Sequence, residues 1–316
     1  MKITALAGGV GGAKLADGLA LALPNPADLT VIVNTGDDMD FLNVRICPDL
    51  DTVCYTLSGL GNPVTGWGRD ADTYHMLEEI DRLGGPTWFR LGDRDFATHV
   101  ERTRRLSSGD SLSKITADFC RAWKIAAHII PMTDRSVATR VYTKTGEVLA
   151  FQEYFVHRHC EPEVTGFDFA GIDAAIPAPG VIEAIQEADF IVICPSNPWV
   201  SIDPILSIPG VQNAIKSKIV VAVSPLIGGK AVKGPAAKMY SELGLTPTAK
   251  SVAKHYHEIL NGFILDQVDQ AECTEINGWG IMSMVSDIMM LNREDRRRLA
   301  MEVIDFAIRI GGLTHL

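Results

Sequence analysis

Short, continuous apolar runs recur along the chain, and segments with helical periodicity separate them. The runs predict buried strands at residues 3–7, 29–33, 128–131, 190–194, 219–223 and 263–265, and a short strand at 88–95. Helices are predicted at residues 15–23, 49–57, 72–83, 97–106, 111–123, 179–188, 235–243, 251–260 and 293–310. A strand, a helix and a second strand form a βαβ unit, which implies parallel strands. The pattern therefore predicts an α/β fold with a doubly wound, mainly parallel, Rossmann-like sheet.

One region departs from this α/β order. Residues 139–142 and 148–155 flank Lys144, Thr145 and Gly146, which predicts an antiparallel β-hairpin. With the helices before it, the hairpin predicts a helical and hairpin insertion around residues 97–160. No repeat or linker interrupts the chain, so we expect one α/β domain over residues 1–316.

The charge balance argues against nucleic acid as a partner. The chain has 29 basic and 39 acidic residues, a net charge of −10, whereas binding to a phosphate backbone needs an excess of cations. No apolar run approaches the ~18 residues of a membrane span, and no leader segment is recognisable. Six cysteines without a CxxC pair fit a reducing compartment, so we expect a cytoplasmic protein.

A glycine-rich segment follows the first predicted strand. Gly8, Gly9, Gly11 and Gly12 precede the first helix, and Lys14 stands two residues further on. Glycines at such a place let backbone N–H groups approach an anion at the helix N-terminus. The segment is neither a dinucleotide fingerprint nor a Walker loop, because Lys14 replaces the third glycine and no Gly-Lys-Ser/Thr follows. We interpret it as a phosphate cradle with Lys14 as its cation; the alternative is a tight turn alone.

Five aspartates follow the second predicted strand, at positions 37, 38, 40, 49 and 51. Ligands of open α/β sheets bind beyond the carboxyl ends of the strands. Carboxylates opposite a phosphate cradle can hold Mg²⁺ on a diphosphate, since Mg²⁺ takes one or two carboxylates and bridges phosphate oxygens. The alternatives are a solvated acidic loop at 37–40 and a helix cap at Asp49 or Asp51.

Two further segments carry candidate binding residues. Ser196 and Asn197 follow the strand predicted at 190–194 and suit the edge of a base or a sugar, although a plain turn explains them too. Arg94, between Asp93 and Asp95, either forms a structural ion pair or stacks on an aromatic ligand or clamps a phosphate. No motif for covalent catalysis is present. Together these features indicate nucleotide or diphosphate chemistry without naming a substrate.

The same segments resemble the CofD family of 2-phospho-L-lactate transferases, called FbiA in actinobacteria. The resemblance runs in order from residue 8 to about residue 266. It is carried by GGVGGAKL at 8–15, NTGDD at 34–38, VRICPDLDT at 44–52, GWGR at 66–69, LGDRDFATH at 91–99, FQEYF at 151–155 and PSNPWVSIDPILSIPG at 195–210, and by the segments 177–185 and 221–229. The last ~50 residues match weakly.

The resemblance implies a step in the biosynthesis of the deazaflavin coenzyme F-420. A guanosine-diphospho-linked lactate donates its phospholactyl group to the ribityl hydroxyl of the deazaflavin Fo, and GMP leaves; in bacterial members the donated unit derives from phosphoenolpyruvate. The resemblance also implies Mg²⁺ and a homodimer. Carried onto this chain, it makes Asp37 and Asp51 metal-binding and catalytic residues and makes Asp51 and Arg94 contacts of the deazaflavin. The GDP moiety would lie on Gly9, Gly11, Gly12, Lys14, Ser196 and Asn197.

Three alternatives stay open at this point. A related family member could use another donor or acceptor, although the PDLDT and GDRD segments are intact. A nucleotide-sensing protein without turnover is disfavoured, because unneutralised carboxylates repel a diphosphate. An NAD-dependent dehydrogenase is disfavoured by the missing third glycine. Any general base would be one of Asp37, Asp38, Asp49 and Asp51.

Overall fold

The computed structural model describes residues 1–312 of the chain. Its strands are β1 (Ile3–Ala7), β2 (Leu29–Val33), β3 (Met39–Phe41), β4 (Val44–Ile46), β5 (His128–Pro131), β6 (Ala138–Thr143), β7 (Val148–Ala150), β8 (Val164–Ala170), β9 (Phe190–Ile193), β10 (Ile219–Val223), β11 (Leu226–Ile227), β12 (Lys230–Ala231), β13 (Gly262–Asp266) and β14 (Met282–Ser286).

The α-helices are α1 (Gly9–Ala22), α2 (Pro48–Ser58), α3 (His75–Arg82), α4 (Asp93–Ser107), α5 (Leu112–Ala122), α6 (Val181–Glu187), α7 (Asp203–Leu206), α8 (Val211–Ile215), α9 (Ala236–Glu242), α10 (Ala249–His255), α11 (Cys273–Gly278) and α12 (Arg293–Gly311). Among residues 1–312, no helix has the length and apolar character that crossing a membrane requires.

Seven strands form the central sheet in the order β14-β13-β10-β9-β1-β2-β5, and every neighbouring pair is parallel. The chain moves outward from β1 through β2 to β5, then returns to the other side of β1 and continues through β9, β10, β13 and β14. The predicted doubly wound α/β fold is confirmed. The strand order reverses between β1 and β9, and a crevice opens at such a switch point beyond the carboxyl ends of the strands.

Both faces of this sheet are covered. Side chains of a strand alternate between the faces, so Ala5 and Ala7 of β1 pack in one core cluster and Leu6 in the other. The first cluster includes residues of α1, α2 and α12, and the second includes residues of α6, α8 and α10. Because both cores are apolar and closed, the open end of the sheet between β1 and β9 is where polar side chains gather.

Two excursions leave the sheet. The β3–β4 hairpin and α2 to α5 lie between β2 and β5 in the chain, and an antiparallel sheet of order β7-β6-β8 lies between β5 and β9. The predicted hairpin is confirmed by the β6–β7 pairing, but its second strand ends at Ala150, and residues 151–157 are helical. However, β5 pairs with β2 in the central sheet, so the range 97–160 contains a core strand and is not one continuous insertion.

Two predictions differ from the structure: one predicted strand is absent, and one helix begins earlier than predicted. No strand covers residues 88–95; instead α4 begins at Asp93, because the Asp72 carboxylate accepts hydrogen bonds from the backbone N–H groups of Arg94 (2.9 Å) and Asp95 (3.0 Å). Helix α1 begins at Gly9 rather than at residue 15, so the glycine segment is the first turn of this helix.

Candidate active site

A cavity of about 770 Å³ lies at the switch point between β1 and β9. Gly9 and Gly11 at the start of α1 line it on one side, and Ser196 and Asn197, which follow β9, line it on the other. Ser224, which follows β10, also reaches the cavity. The cavity therefore occupies the position that the strand order predicts for a ligand.

The glycines of α1 allow a close approach between the helix and the loop after β9. A Cβ atom on Gly11 would lie 2.2 Å from the Pro195 carbonyl oxygen, and one on Gly12 would lie 2.7 Å from Ser196 Oγ. Gly12 packs on this loop and does not line the cavity, unlike Gly9 and Gly11. The two interpretations of this glycine segment, a tight turn and a helix N-terminus that can bind an anion, are therefore compatible with each other.

The neighbouring loops bond to the first residues of this segment. Ser196 Oγ donates to the Gly8 carbonyl at 2.8 Å, and the Gly9 N–H donates to Asp49 Oδ1 at 2.7 Å. Asn34 Nδ2 donates to the other oxygen of Asp49 at 2.9 Å. Asp49 is therefore held in place by two donors, and it connects the start of α1 to the start of α2.

Three of the five aspartates, Asp37, Asp49 and Asp51, are buried and line the cavity. Burial and the nearby charge of Asp49 raise the pKa of Asp37 well above its ordinary value, and burial raises the pKa of Asp49 to about 6. Oδ1 of Asp37 is buried and has no hydrogen-bond partner among residues 1–312. A buried carboxylate oxygen without a partner at a cavity wall is an open position for a cation or a polar ligand atom.

The other two aspartates lie away from the cavity wall. Asp40 is exposed and pairs with Arg45, the residue opposite it in the β3–β4 hairpin. Burial raises the pKa of Asp38 to about 7. The acidic loop therefore has a buried end that faces the cavity, at Asp37, and a solvated end at Asp40.

Asp51 belongs to a buried network that ties α2 to α4. Arg102 donates from both terminal nitrogens to the two carboxylate oxygens of Asp51, with Nη1 at 3.1 Å from Oδ2. Their side chains are 3% and 8% exposed. Arg102 Nη1 also donates to His99 Nδ1 at 3.1 Å; because arginine only donates, the proton of a neutral His99 lies on Nε2.

The network continues from His99 to Asp95. His99 Nε2 lies 3.4 Å from Asp95 Oδ1, which accepts a hydrogen bond from the Tyr55 hydroxyl at 2.8 Å. His99 and Asp95 line the cavity, whereas Arg102 does not. This network thus reaches the cavity through Asp51, His99 and Asp95. Arg102, which does not line the cavity, balances the negative charge of Asp51.

The donor set fits a Mg²⁺ ion that is bound mainly by substrate phosphates. Within residues 1–312, no group of three or more His, Cys, Asp or Glu side chains converges as a metal site would. Mg²⁺ needs only one or two protein carboxylates when phosphates supply the rest. Asp37 offers an oxygen without a partner, and each Asp51 oxygen that bonds to Arg102 retains a further lone pair.

Two lysines line the cavity, whereas the predicted binding residue Arg94 lies outside it. Lys14 lines the cavity and donates to the Met290 carbonyl at 2.7 Å, and burial lowers its pKa. Lys233 also lines the cavity. Arg94 is exposed on the first turn of α4 and lies outside the cavity, so its contact with the deazaflavin stays a prediction.

Aromatic side chains form a large part of the cavity wall, and sequence reasoning missed them. Trp88 and Phe89 come from the segment before α4, and Phe151 and Phe155, whose rings stack 5.4 Å apart, follow β7. Tyr55 and Trp67 complete this wall. The pairing of aromatic residues within two short segments, WF at 88–89 and FQEYF at 151–155, is the signal that could have indicated a site for a planar ring.

Comparison with known proteins finds relatives that match nearly the whole chain. The family model described as 2-phospho-L-lactate transferase CofD matches residues 3–305. A phosphoenolpyruvate transferase from Streptomyces coelicolor is 44% identical over 314 residues, which cover 97% of this chain and 98% of that protein. A 2-phospho-L-lactate transferase from Methanosarcina acetivorans is 40% identical over 299 residues, which cover 95% and 97%.

A solved structure of a UPF0052 family protein from Bacillus halodurans shares the fold, with a TM-score of 0.64 and 16% identity over 96% of this chain and 99% of that one. These matches make the protein an α/β transferase enzyme. More narrowly, the chain belongs to the 2-phospho-L-lactate transferase CofD family.

Proposed function

We propose that this protein transfers a phospholactyl or enolpyruvyl-phosphate group from a guanosine-diphospho-linked donor to the ribityl hydroxyl of the deazaflavin Fo, in coenzyme F-420 biosynthesis. The ribityl oxygen attacks the phosphorus that bears the three-carbon acid, in line with the leaving oxygen. The bond from that phosphorus to the GMP oxygen breaks, GMP leaves, and the hydroxyl proton passes to a cavity carboxylate or to water.

One observation carries this proposal: an aromatic-lined cavity at the switch point of the sheet holds a glycine-rich helix N-terminus and one oxygen of Asp37 that has no hydrogen-bond partner within residues 1–312. The helix start, with Lys14, suits the diphosphate, and the aromatic wall suits a flat acceptor. Ser196 and Asn197 line the cavity and would contact the base or sugar of the donor. The two relatives described above bear the names of a phosphoenolpyruvate and a phospholactate transferase, so both donors are included.

The residues would work mainly by binding and positioning. Asp37 and Asp51 would hold Mg²⁺, which when bound offsets the negative charge of the diphosphate and of the leaving GMP. Arg102 fixes the two oxygens of Asp51, and Asp49 fixes the start of α1. The proposed reaction needs no covalent enzyme intermediate. Holding the hydroxyl and the phosphorus in line would supply much of the rate enhancement, because the entropy cost of bringing them together is met on binding.

GMP release is the direct test of this proposal. We expect GMP to form only when enzyme, Mg²⁺, donor and Fo are all present, as measured by nucleotide chromatography. We also expect GDP to compete with the donor more strongly than ADP. GMP release that does not depend on Fo would refute the acceptor, and equal competition by ADP would refute the guanine preference.

The resemblance also leads us to propose a homodimer. Light scattering on the purified protein should give twice the mass of the 34.3 kDa chain. A mass equal to that of one chain would contradict this.

A further inference from the structure

The aromatic wall of the cavity is built from two segments that pack on different apolar clusters. Trp88 and Phe89, before α4, pack against a cluster that includes residues of the β3–β4 hairpin. Phe151, which follows β7, is buried in another cluster with Val141 of β6 and Val164 of β8. The two clusters have no residue in common, so neither of them by itself fixes the distance between the two parts of the wall.

A single ring contact joins these two parts. The imidazole ring of His157 stacks on the indole ring of Trp88, with the ring centres 4.9 Å apart and an angle of 21° between the planes. His157 ends the π-helical turn Glu153–His157, which also carries Phe155 of the wall. Within residues 1–312, no other contact between rings connects the two segments.

The His157 ring is itself held in one orientation. Its Nδ1 donates to Glu153 Oε2 at 2.8 Å, one turn earlier in the same segment. Because a carboxylate only accepts, the proton of a neutral His157 lies on Nδ1. Arg158 lies beside the other oxygen of Glu153, with its Nε 3.4 Å from Oε1. Glu153 therefore keeps the imidazole plane against the face of Trp88.

His157 does not belong to the cavity wall, whereas Trp88 does. The side chain of His157 is 46% exposed, and Trp88 is half-buried. A half-buried indole that loses its stacking partner gains conformational freedom, and a ligand that packs on it must then restrict that freedom at a cost in affinity. Any effect of His157 on a ligand in the cavity is therefore exerted through Trp88.

We infer that His157 is a positioning residue, which by stacking on Trp88 holds the two aromatic segments together around a planar ligand. The identity of that ligand, the acceptor Fo, rests on the proposed function. The contact belongs to the aromatic side of the cavity and not to Gly9, Gly11 or Lys14, so it should affect the acceptor and spare the nucleotide.

The first test is calorimetric titration of wild type and three variants with Fo and with GDP. His157→Ala should weaken Fo binding roughly two- to tenfold, which corresponds to the loss of one aromatic stack, and should leave GDP binding unchanged. His157→Phe should restore most of the affinity, because a phenyl ring can also stack on Trp88. His75→Ala is the matched control: His75 is 79% exposed, lies near Glu78 and has no place in the cavity wall.

Three further measurements separate positioning from a general structural effect. In transfer assays, His157→Ala should raise KM for Fo and leave kcat close to that of wild type. In ligand-free protein labelled with 5-fluorotryptophan, the fluorine signal of Trp88, assigned with Trp88→Phe, should shift in His157→Ala and not in His75→Ala. The double variant Glu153→Ala, His157→Ala should bind Fo no more weakly than His157→Ala, since Glu153 acts through the histidine ring.

The inference is overturned if the Trp88 signal does not move in His157→Ala, or if this variant of an active enzyme binds Fo as tightly as wild type. An affinity of His157→Phe as low as that of His157→Ala would refute stacking as the cause. Wild type that binds no Fo would overturn the inference together with the proposed function. Fo binding that depends on His157, in a protein that transfers nothing, would refute the proposed function alone.

Discussion

Replacing Arg102 with methionine should destabilise the protein strongly, although Arg102 does not line the cavity. The substitution keeps much of the side-chain volume and removes both donors from Asp51, which is buried in the cavity wall. Removing one partner of a buried ion pair costs about 3–5 kcal/mol, because the remaining charge is left without compensation.

The expected change in melting temperature follows from the chain length. An unfolding entropy of about 2.1 cal/mol/K per residue gives ~0.66 kcal/mol/K for 316 residues. The loss of about 3–5 kcal/mol then corresponds to a decrease of roughly 5–8 °C. Differential scanning calorimetry of wild type and variant in the same buffer measures it.

A control and a double variant separate this mechanism from a general effect of losing an arginine. Arg104 lies two residues away on α4, is 64% exposed and pairs with Glu101. Arg104→Met should therefore cost at most about 1 kcal/mol, or less than ~2 °C. The double variant Arg102→Met, Asp51→Asn should melt higher than Arg102→Met alone, because it removes the uncompensated carboxylate. A double variant that melts lower than Arg102→Met would refute the reasoning, as would an Arg102→Met variant within ~1 °C of wild type.

Three other changes test the cavity wall. Asp37→Asn should abolish Mg²⁺-dependent transfer yet raise the melting temperature at pH 8. Because burial raises the pKa of Asp37, ionisation of this carboxyl destabilises the folded wild-type protein. The gain in melting temperature should therefore vanish as the pH falls toward about 4, where the carboxyl is protonated in the unfolded chain as well. A gain of the same size at both pH values would contradict this. Gly11→Ala should destabilise the protein and weaken GDP binding, because its Cβ would lie 2.2 Å from the Pro195 carbonyl oxygen. Gly278→Ala, a helical glycine with open space around it, should cost nothing, and equal melting temperatures for both variants would contradict the steric argument. Lys14→Met should weaken GDP binding at least tenfold in calorimetric titration, by losing a partly buried, charge-assisted contact of about 1.5–3 kcal/mol, and unchanged affinity would remove Lys14 from the phosphate site.

The buried strands could be predicted from the sequence because each is a continuous apolar run. Predicted and observed bounds agree for β1, β2, β5 and β10. By contrast, β14 was missed: it is an edge strand, Met282 is exposed, and only Ser286 is fully buried. Strand β8 was missed for a similar reason, since it contains Gly166 and Asp168 and is largely half-buried. The local hydrophobic pattern identifies a central strand, which is buried on both of its faces, but it gives little signal for a strand at the edge of a sheet.

The gathering of Asp37, Asp49 and Asp51 at the cavity could be predicted, because they follow the carboxyl end of a buried strand. Their partners could not. Arg102, which neutralises Asp51, lies 51 residues along the chain on α4, and only the packing of α4 against β4 and the start of α2 brings them together. Likewise, the helix start set by Asp72 turns Arg94 outward, whereas Arg90, before that helix, lines the cavity.

Mass spectrometry of a competition reaction tests the central claim most directly. Enzyme, Mg²⁺ and Fo are mixed with equal amounts of the guanosine-diphospho-linked forms of lactate, enolpyruvate and glycerate. We predict that Fo gains the mass of one phospholactyl or enolpyruvyl-phosphate unit and that one GMP appears for each Fo consumed. Fo that stays unmodified with every donor, in a preparation that still binds GDP, would contradict the proposed transfer.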